Sequence, residues 1–210
     1  NKFGIFPDGY LYVRSALDRE TRDYFALTIV ATDHGDPPRS STVLVVIHIL
    51  DENDNAPKFS NKTFDFYLAE NEPPDTYVGR LTASDQDKGR NAELTFSIVT
   101  NQHQFLVDPK SGFLKTLKYF DREKIVQNTG QDYITMEAVV IDNGISKLKD
   151  KAKVNIFITD INDNSPKFTR KSYKADVFEG AAIDTPIIRL AANDADEGLN
   201  GDVVYTLLDG

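Results

Sequence analysis

Two short stretches decide how this chain is read: Asp51–Pro57, D-E-N-D-N-A-P, and Asp160–Pro166, D-I-N-D-N-S-P. Each crowds side-chain oxygens into five residues and then stops at a proline. Oxygen donors without Cys or His suit a hard cation, calcium above others. Five polar residues cannot continue a buried strand, and the proline removes a ladder donor. Each stretch therefore reads as a linker between folded units that a metal would stiffen. An EF-hand is excluded by residue type. Counting from Asp51, the glycine position holds Ala56 and the twelfth position Lys62; from Asp160 these are Ser165 and Lys171.

Working outward, Asp51 and Asp160 lie 109 residues apart. The same offset carries Asp33 to Asp142, Glu70 to Glu179, Asp85 to Asp194, Asp87 to Asp196 and Asn91 to Asn200. A period of this length means whole domains in tandem rather than solenoid units. The expected division is 1–55, the C-terminal part of a repeat with its linker; 56–164, a complete repeat with its linker; and 165–210, the N-terminal part of another. The chain reads as a segment of something longer. An isolated half sandwich should expose an apolar face and an edge, and be poorly stable.

Within the complete repeat, apolar residues alternate in short runs. Phe64, Phe66 and Leu68 form one face; Leu94, Phe96 and Ile98 another; Ile134, Met136, Ala138 and Val140 a third; Val154, Ile156 and Ile158 a fourth. Val78–Ala83, Phe105–Val107 and Phe113–Leu117 read as further strands. Period two marks half-buried strands, and turn signals such as Asp108–Gly112 separate them. About seven strands so spaced predict an all-β sandwich without an amphipathic helix. The first part repeats the pattern with Phe25, Leu27, Ile29 and Ala31, then Val43, Val45, Ile47 and Ile49, leaving His48 exposed. The triplet Asp18-Arg19-Glu20 returns as Asp121-Arg122-Glu123 at an offset of 103. The complete repeat thus has about six extra residues within 124–131, expected as a longer surface loop.

The 210 residues carry 33 Asp and Glu against 24 Lys and Arg, a net charge of −9, which excludes a basic nucleic-acid face. No cysteine is present, so disulfides and thiolate metal sites are excluded. No apolar run is long enough to span a membrane. His34, His48 and His103 are scattered, and no nucleophile or phosphate-loop motif occurs, so the acids read as cation ligands rather than an acid and base pair, and the protein as not an enzyme. The first set gathers Asp18, Glu20, Asp51, Asp54, Asp85, Asp87 and Asp142. Without metal, each like-charge contact at ~4 Å costs roughly 4 kcal/mol at an effective dielectric of 20. Such a set needs cations, or must spread apart.

Together the motifs resemble the extracellular cadherin repeat. The residues that carry the resemblance are D-R-E at 18–20 and 121–123, the two linkers, A-S-D-Q-D-K-G-R-N at 83–91, A-N-D-A-D-E-G-L-N at 192–200, A-E-N at 69–71 and A-T-D-H-G at 31–35. The resemblance covers the whole chain. It is greatest to the non-classical, long-ectodomain branch, of Fat, Dachsous and protocadherin type, since no tryptophan is present for a strand swap. It implies tandem seven-stranded Greek-key β-sandwiches, immunoglobulin-like, with three calcium ions per junction. Carried over by position, the first junction would use the side chains of Asp18, Glu20, Asp51, Asn53, Asp54, Asp85, Asp87 and Asp142, with backbone oxygens of Glu52, Asn55 and Asn91. The second would use Glu70, Asp121, Glu123, Asp160, Asn162, Asp163, Asp194 and Asp196, with backbone oxygens of Ile161, Asn164 and Asn200. The first lacks the early-strand Glu and the second the late-turn Asp, an incompleteness that would weaken binding at both. Asp33 and Glu179 would serve other junctions.

The implied function is calcium-dependent cell–cell adhesion. The chain would be an ectodomain segment of a single-pass receptor on the extracellular face of the plasma membrane, binding another cadherin ectodomain in trans. This segment would lie outside the membrane and bind no nucleic acid. Asn61-Lys62-Thr63 would be a glycosylation acceptor. The alternative is a bacterial cadherin-like surface module that binds carbohydrate, which exposed aromatics on one sheet would favour.

Overall fold

A computed structural model describes residues 2–208. In chain order its strands are β1 (Phe3–Ile5), β2 (Leu11–Val13), β3 (Tyr24–Thr32), β4 (Ser40–His48), β5 (Lys58–Phe59), β6 (Thr63–Ala69), β7 (Tyr77–Arg80), β8 (Ala83–Ser84), β9 (Leu94–Ile98), β10 (Phe105–Val107) and β11 (Phe113–Thr116). One helix, α1 (Arg122–Thr129), precedes β12 (Tyr133–Asp142), β13 (Lys149–Thr159), β14 (Lys167–Phe168) and β15 (Ala192–Asn193). The fold is all-β in character, as the alternating sequence requires. The chain divides into two compact units. One holds Asn1–Ser60, Thr82–Phe96 and Val139–Lys151, and the other Asn61–Leu81, Ser97–Ala138 and Ala152–Gly210.

In the first unit, β1 and β2 form an antiparallel hairpin around Pro7-Asp8-Gly9, where Gly9 takes a φ of 90°. β3 and β4 pair antiparallel from Tyr24↔His48 to Thr32↔Ser40. Phe25 is buried and meets the Phe3 ring edge-on at 5.0 Å, while His48 is exposed as the alternation demands. β5 pairs with β8, which brings Phe59 within 6.2 Å of Phe96.

The second unit holds most of the core. β6, β13, β12 and the end of β9 form one sheet in that order, and β6 runs parallel to β13 from Thr63↔Lys153 to Ala69↔Thr159. β10, β11 and β7 form the facing sheet. Phe64, Leu68, Val78, Leu114, Met136, Ala138, Val154, Ile156 and Ile158 are buried between them. Gly79 on β7 leaves room for the Phe66 ring, which a Cβ would meet at 2.3 Å. Gly112, with a φ of 72°, lets the β11 turn close on the Leu81 carbonyl. On the outer face, Tyr67 stacks on Phe157, which in turn meets Tyr133, each pair 5.3 Å apart.

Two expectations need correcting. The extra residues at 124–131 form α1 rather than a surface loop. The Asp121 carboxylate accepts the Lys124 N–H as an N-cap, and Gly130 ends the helix in the left-handed region, so both termini are satisfied locally. For the same reason the sequence did contain a helix. Second, the strand expected over 78–83 is two strands, because Leu81 turns fully into the core between β7 and β8. Residues 165–208 carry only β14 and β15, and Phe178, Ile183, Val204 and Leu207 are exposed.

Candidate metal centres

The sequence-predicted ligands gather into two clusters, one wholly in each unit. In the first, one carboxylate oxygen each from Glu20, Asp51 and Asp87 lie within 4.8 Å of one another. The Asp51–Pro57 linker runs beside the loop after β8. Asn55 donates to Asp87 twice, from its backbone N–H at 3.3 Å and from Nδ2 at 2.8 Å. Asp51 Oδ2 accepts the Lys88 N–H at 3.0 Å and Asn91 Nδ2 at 2.9 Å. Asp85 Oδ1 accepts the Asp87 N–H at 3.0 Å. Asp142, fully buried at the end of β12, accepts the N–H groups of Gly144 and Leu148, each at 2.9 Å. Asn53 Nδ2 reaches both Asp142 oxygens at 3.3 Å and the Ser146 carbonyl at 2.9 Å.

The second cluster repeats this wiring 109 residues on. Asn164 donates to Asp196 from its backbone at 3.2 Å and from Nδ2 at 2.7 Å. Asn200 Nδ2 reaches Asp160 Oδ2 at 2.8 Å, and the Asp196 N–H reaches Asp194 Oδ1 at 3.1 Å. Oxygens of Glu123, Asp160 and Asp196 lie within 4.8 Å of one another, and so do those of Glu70, Asp121 and Glu123. Glu70 is fully buried and accepts the Arg122 N–H at 2.8 Å and the Ile161 N–H at 2.9 Å, which ties the end of β6 to both α1 and the linker.

What these bonds leave open is more informative than what they close. Asp51 Oδ1, Asp85 Oδ2, Asp160 Oδ1, Asp194 Oδ2, Asn53 Oδ1 and Glu123 Oε1 are buried and accept no hydrogen bond. The same atom is open at Asp51 and Asp160, and again at Asp85 and Asp194. A buried polar atom left unmade costs about 1–3 kcal/mol. A repeated set of such oxygens, with no nitrogen or sulfur donor among them, fits a hard oxygen-seeking cation.

The placement is uneven elsewhere. Asp18 turns to Thr21, whose Oγ1 donates to it at 2.7 Å, and this bond holds its carboxyl below the usual range. Asp54 and Asp163 each accept from the next Asn side chain, and the Glu52 carbonyl accepts the Asp54 N–H at 3.0 Å. Ile161 and Asn162 are exposed, the former with its N–H held by Glu70. Asp33 is exposed but accepts from Gly35 and Arg39 at the same spacings Asp142 uses with Gly144 and Leu148. Glu179 is exposed in a turn, and Asn61 is exposed before β6. Sequence reasoning missed Arg19 and Arg122. Arg19 Nε lies against Asp51 Oδ1, and Arg122 Nη1 stands 3.7 Å from Asp160 Oδ1. Their identical place inside the repeated D-R-E triplet was the available signal.

Burial pushes the Glu123 carboxyl up to about 7, with the Glu70 and Asp163 charges adding to it. Burial raises Asp85 too, helped by Asp87 and Asp142. Glu123 rises from an ordinary 4.5, so the metal-free folded state holds a proton that the unfolded chain releases. Stability without metal should therefore fall as pH rises from about 4.5 to about 7, and Glu123→Gln should flatten that slope. Melting temperature against pH in chelator reads this directly; a slope unchanged by E123Q would place the titration elsewhere.

Comparison with known proteins follows from this geometry. The cadherin-domain family model matches residues 1–50 and 64–159. The chain is 40% identical over 209 residues to protocadherin Fat 4 of Homo sapiens, covering 99% of this chain and 4% of that protein. It is 35% identical over 210 residues to protein dachsous of Drosophila melanogaster, covering 99% of this chain and 6% of that one. The chain thus spans a small fraction of these relatives. Among solved structures, extracellular cadherin domains 3–6 of protocadherin gamma B2 superpose with a TM-score of 0.82 at 30% identity, covering 91% of this chain and 48% of that one. The EC3–6 cis-dimer structure of protocadherin gammaB7 superposes with a TM-score of 0.86 at 28% identity, covering 96% and 50%.

Proposed function

Because this chain belongs to the cadherin family, we propose that its two acidic clusters bind calcium and stiffen the linkers Asp51–Pro57 and Asp160–Pro166 between consecutive repeats. The repeats would be 1–55, 56–164 and 165–210, with Greek-key connections. The chain would be part of an extracellular adhesion receptor anchored in the plasma membrane. Its role is binding, not catalysis, and its partner is another cadherin ectodomain. Among the described residues no helix is long and apolar enough to cross a membrane. Asn61, exposed in its sequon, is the proposed glycan acceptor.

The supporting observation is the duplicated set of open oxygens. Asp51 Oδ1 and Asp85 Oδ2, and their counterparts on Asp160 and Asp194, are buried without hydrogen bonds at equivalent positions. Two unrelated loops would not leave the same atoms open. Calcium would be held by these atoms together with Glu20, Asp87 and Asp142 at the first site, and by Glu70, Glu123 and Asp196 at the second. When bound it supplies the positive charge that lets the carboxylates stay close.

Calorimetric titration should show saturable calcium binding in roughly the 0.1–1 mM range of extracellular modules. Asp51→Asn with Asp160→Asn should weaken it at least about tenfold, the loss of one charged ligand per site. Binding unaffected by the pair would remove these oxygens from the metal. Beads coated with the chain should cluster with calcium and disperse with chelator if this segment itself makes the adhesive contact. The carbohydrate reading draws on the Tyr67, Phe157 and Tyr133 stack, and binding to a glycan array abolished by Tyr67→Ala would bring it forward.

A further inference from the structure

We propose that Arg19 and Arg122 are tethered cations that stand against the open oxygens of Asp51 and Asp160 when calcium is absent, and that Lys88 and Glu197 set how firmly each one holds. The inference rests on the calcium reading and adds to it a built-in competitor at each site.

Both arginine side chains are nearly buried, 8% exposed at Arg19 and 10% at Arg122. A buried guanidinium needs a countercharge. Arg19 finds Asp51 and Glu20, and donates from Nη2 to the Gln86 carbonyl at 2.7 Å. Yet its Nε makes no hydrogen bond, and neither does Asp51 Oδ1 beside it. The contact sets the guanidinium directly against the ligand oxygen, in the place where a metal's charge would serve. Asp160 Oδ1 is likewise unbonded with Arg122 nearby.

Among the repeat-equivalent positions where the two sites differ, one bears directly on the arginines. In the first it is Lys88, whose Nζ pairs with Asp23 at 3.1 Å and offers Arg19 nothing. In the second it is Glu197, which accepts Arg122 Nη2. Glu197 therefore gives Arg122 another partner, and Arg122 stands 3.7 Å from Asp160 while Arg19 is in direct contact with Asp51. An arginine on a ligand oxygen opposes a divalent ion through like-charge repulsion and must be displaced or overcome. Without metal, the same arginine offsets the mutual repulsion of the carboxylates. Removing it should thus act with opposite signs in the two conditions.

The test uses the whole chain, with amide shifts of Asn55 and Asn164 reporting calcium at each site and melting in chelator reporting the metal-free state. R19Q should lower the chelator melting temperature yet tighten calcium at the first site by about tenfold, as expected for removal of one nearby cation. R19K, which keeps the charge, should stay near the wild type in both. E197K, at a side chain 64% exposed and so harmless to folding, should weaken calcium at the second site, and that loss should shrink in an R122Q background. R19Q that lowers both readouts would show a purely structural arginine and overturn the proposal while leaving calcium binding intact. An E197K loss undiminished in R122Q would overturn the part assigned to Glu197. A wild-type chain whose amides do not move with calcium would overturn this proposal together with the calcium reading.

Discussion

Replacing Asp142 by alanine should destabilise the protein by about 3–4 kcal/mol even in chelator, the combined cost of leaving several buried donors unmade. The carboxylate is fully buried and gathers the N–H groups of Gly144 and Leu148 and the Asn53 amide. Alanine can accept from none of them. An opposing effect exists, since Asp142 repels Asp85, but burial is the larger influence on Asp85 and the relief should be minor. For a chain of this size the loss corresponds to roughly 6–16 °C in melting temperature. Asp142→Asn, which keeps the shape and one acceptor, should cost much less without metal but weaken calcium at the first site. Denaturant unfolding in chelator decides the matter; a D142A loss below about 1 kcal/mol would mean that water replaces the carboxylate at no cost.

Calcium should raise the melting temperature by about 10–20 °C. Saturation at 100 times the dissociation constant contributes about 2.7 kcal/mol per independent site, so two sites contribute about 5 kcal/mol. Each kcal/mol moves the midpoint of a 150–250-residue protein by about 2–4 °C. With affinities near 0.1 mM, about 10 mM calcium reaches that regime. Magnesium at the same concentration should do much less, because it demands near-octahedral geometry and keeps its waters, while these sites offer many flexible carboxylates. Equal stabilisation by both ions would indicate general charge screening rather than a shaped site. A shift under about 2 °C would separate the acidic clusters from calcium altogether.

The strands were legible because burial on one face leaves a period of two. The alternation at Met136 and Ala138, and at Val154, Ile156 and Ile158, returns as buried core of the second unit, and Val140 is buried in the first. The ligand clusters were legible because the period of 109 residues marks the same residues twice. Helix α1 was not, since eight residues with Ile125 and Val126 as adjacent apolar positions make no helical stripe; its evidence lay in the Asp121 cap and Gly130. The split at Leu81 was hidden because an inward turn between two short strands looks, in one dimension, like one longer strand. Arg19 and Arg122 were hidden for another reason. A search for cation ligands passes over a cation, and only the fold shows that each points at the oxygens a metal would want.

The parallel pairing of β6 with β13 bears on how this part of the chain carries load. The chain runs from Asp51–Pro57 through the short β5 into β6, and β13 leaves into Asp160–Pro166. Tension applied through the two linkers therefore pulls the strands past one another along their own length. The seven residue pairs from Thr63↔Lys153 to Ala69↔Thr159 are strained together, not peeled apart one after another. A ladder loaded in shear yields only when many bonds fail at once, so this one resists such tension along its whole length.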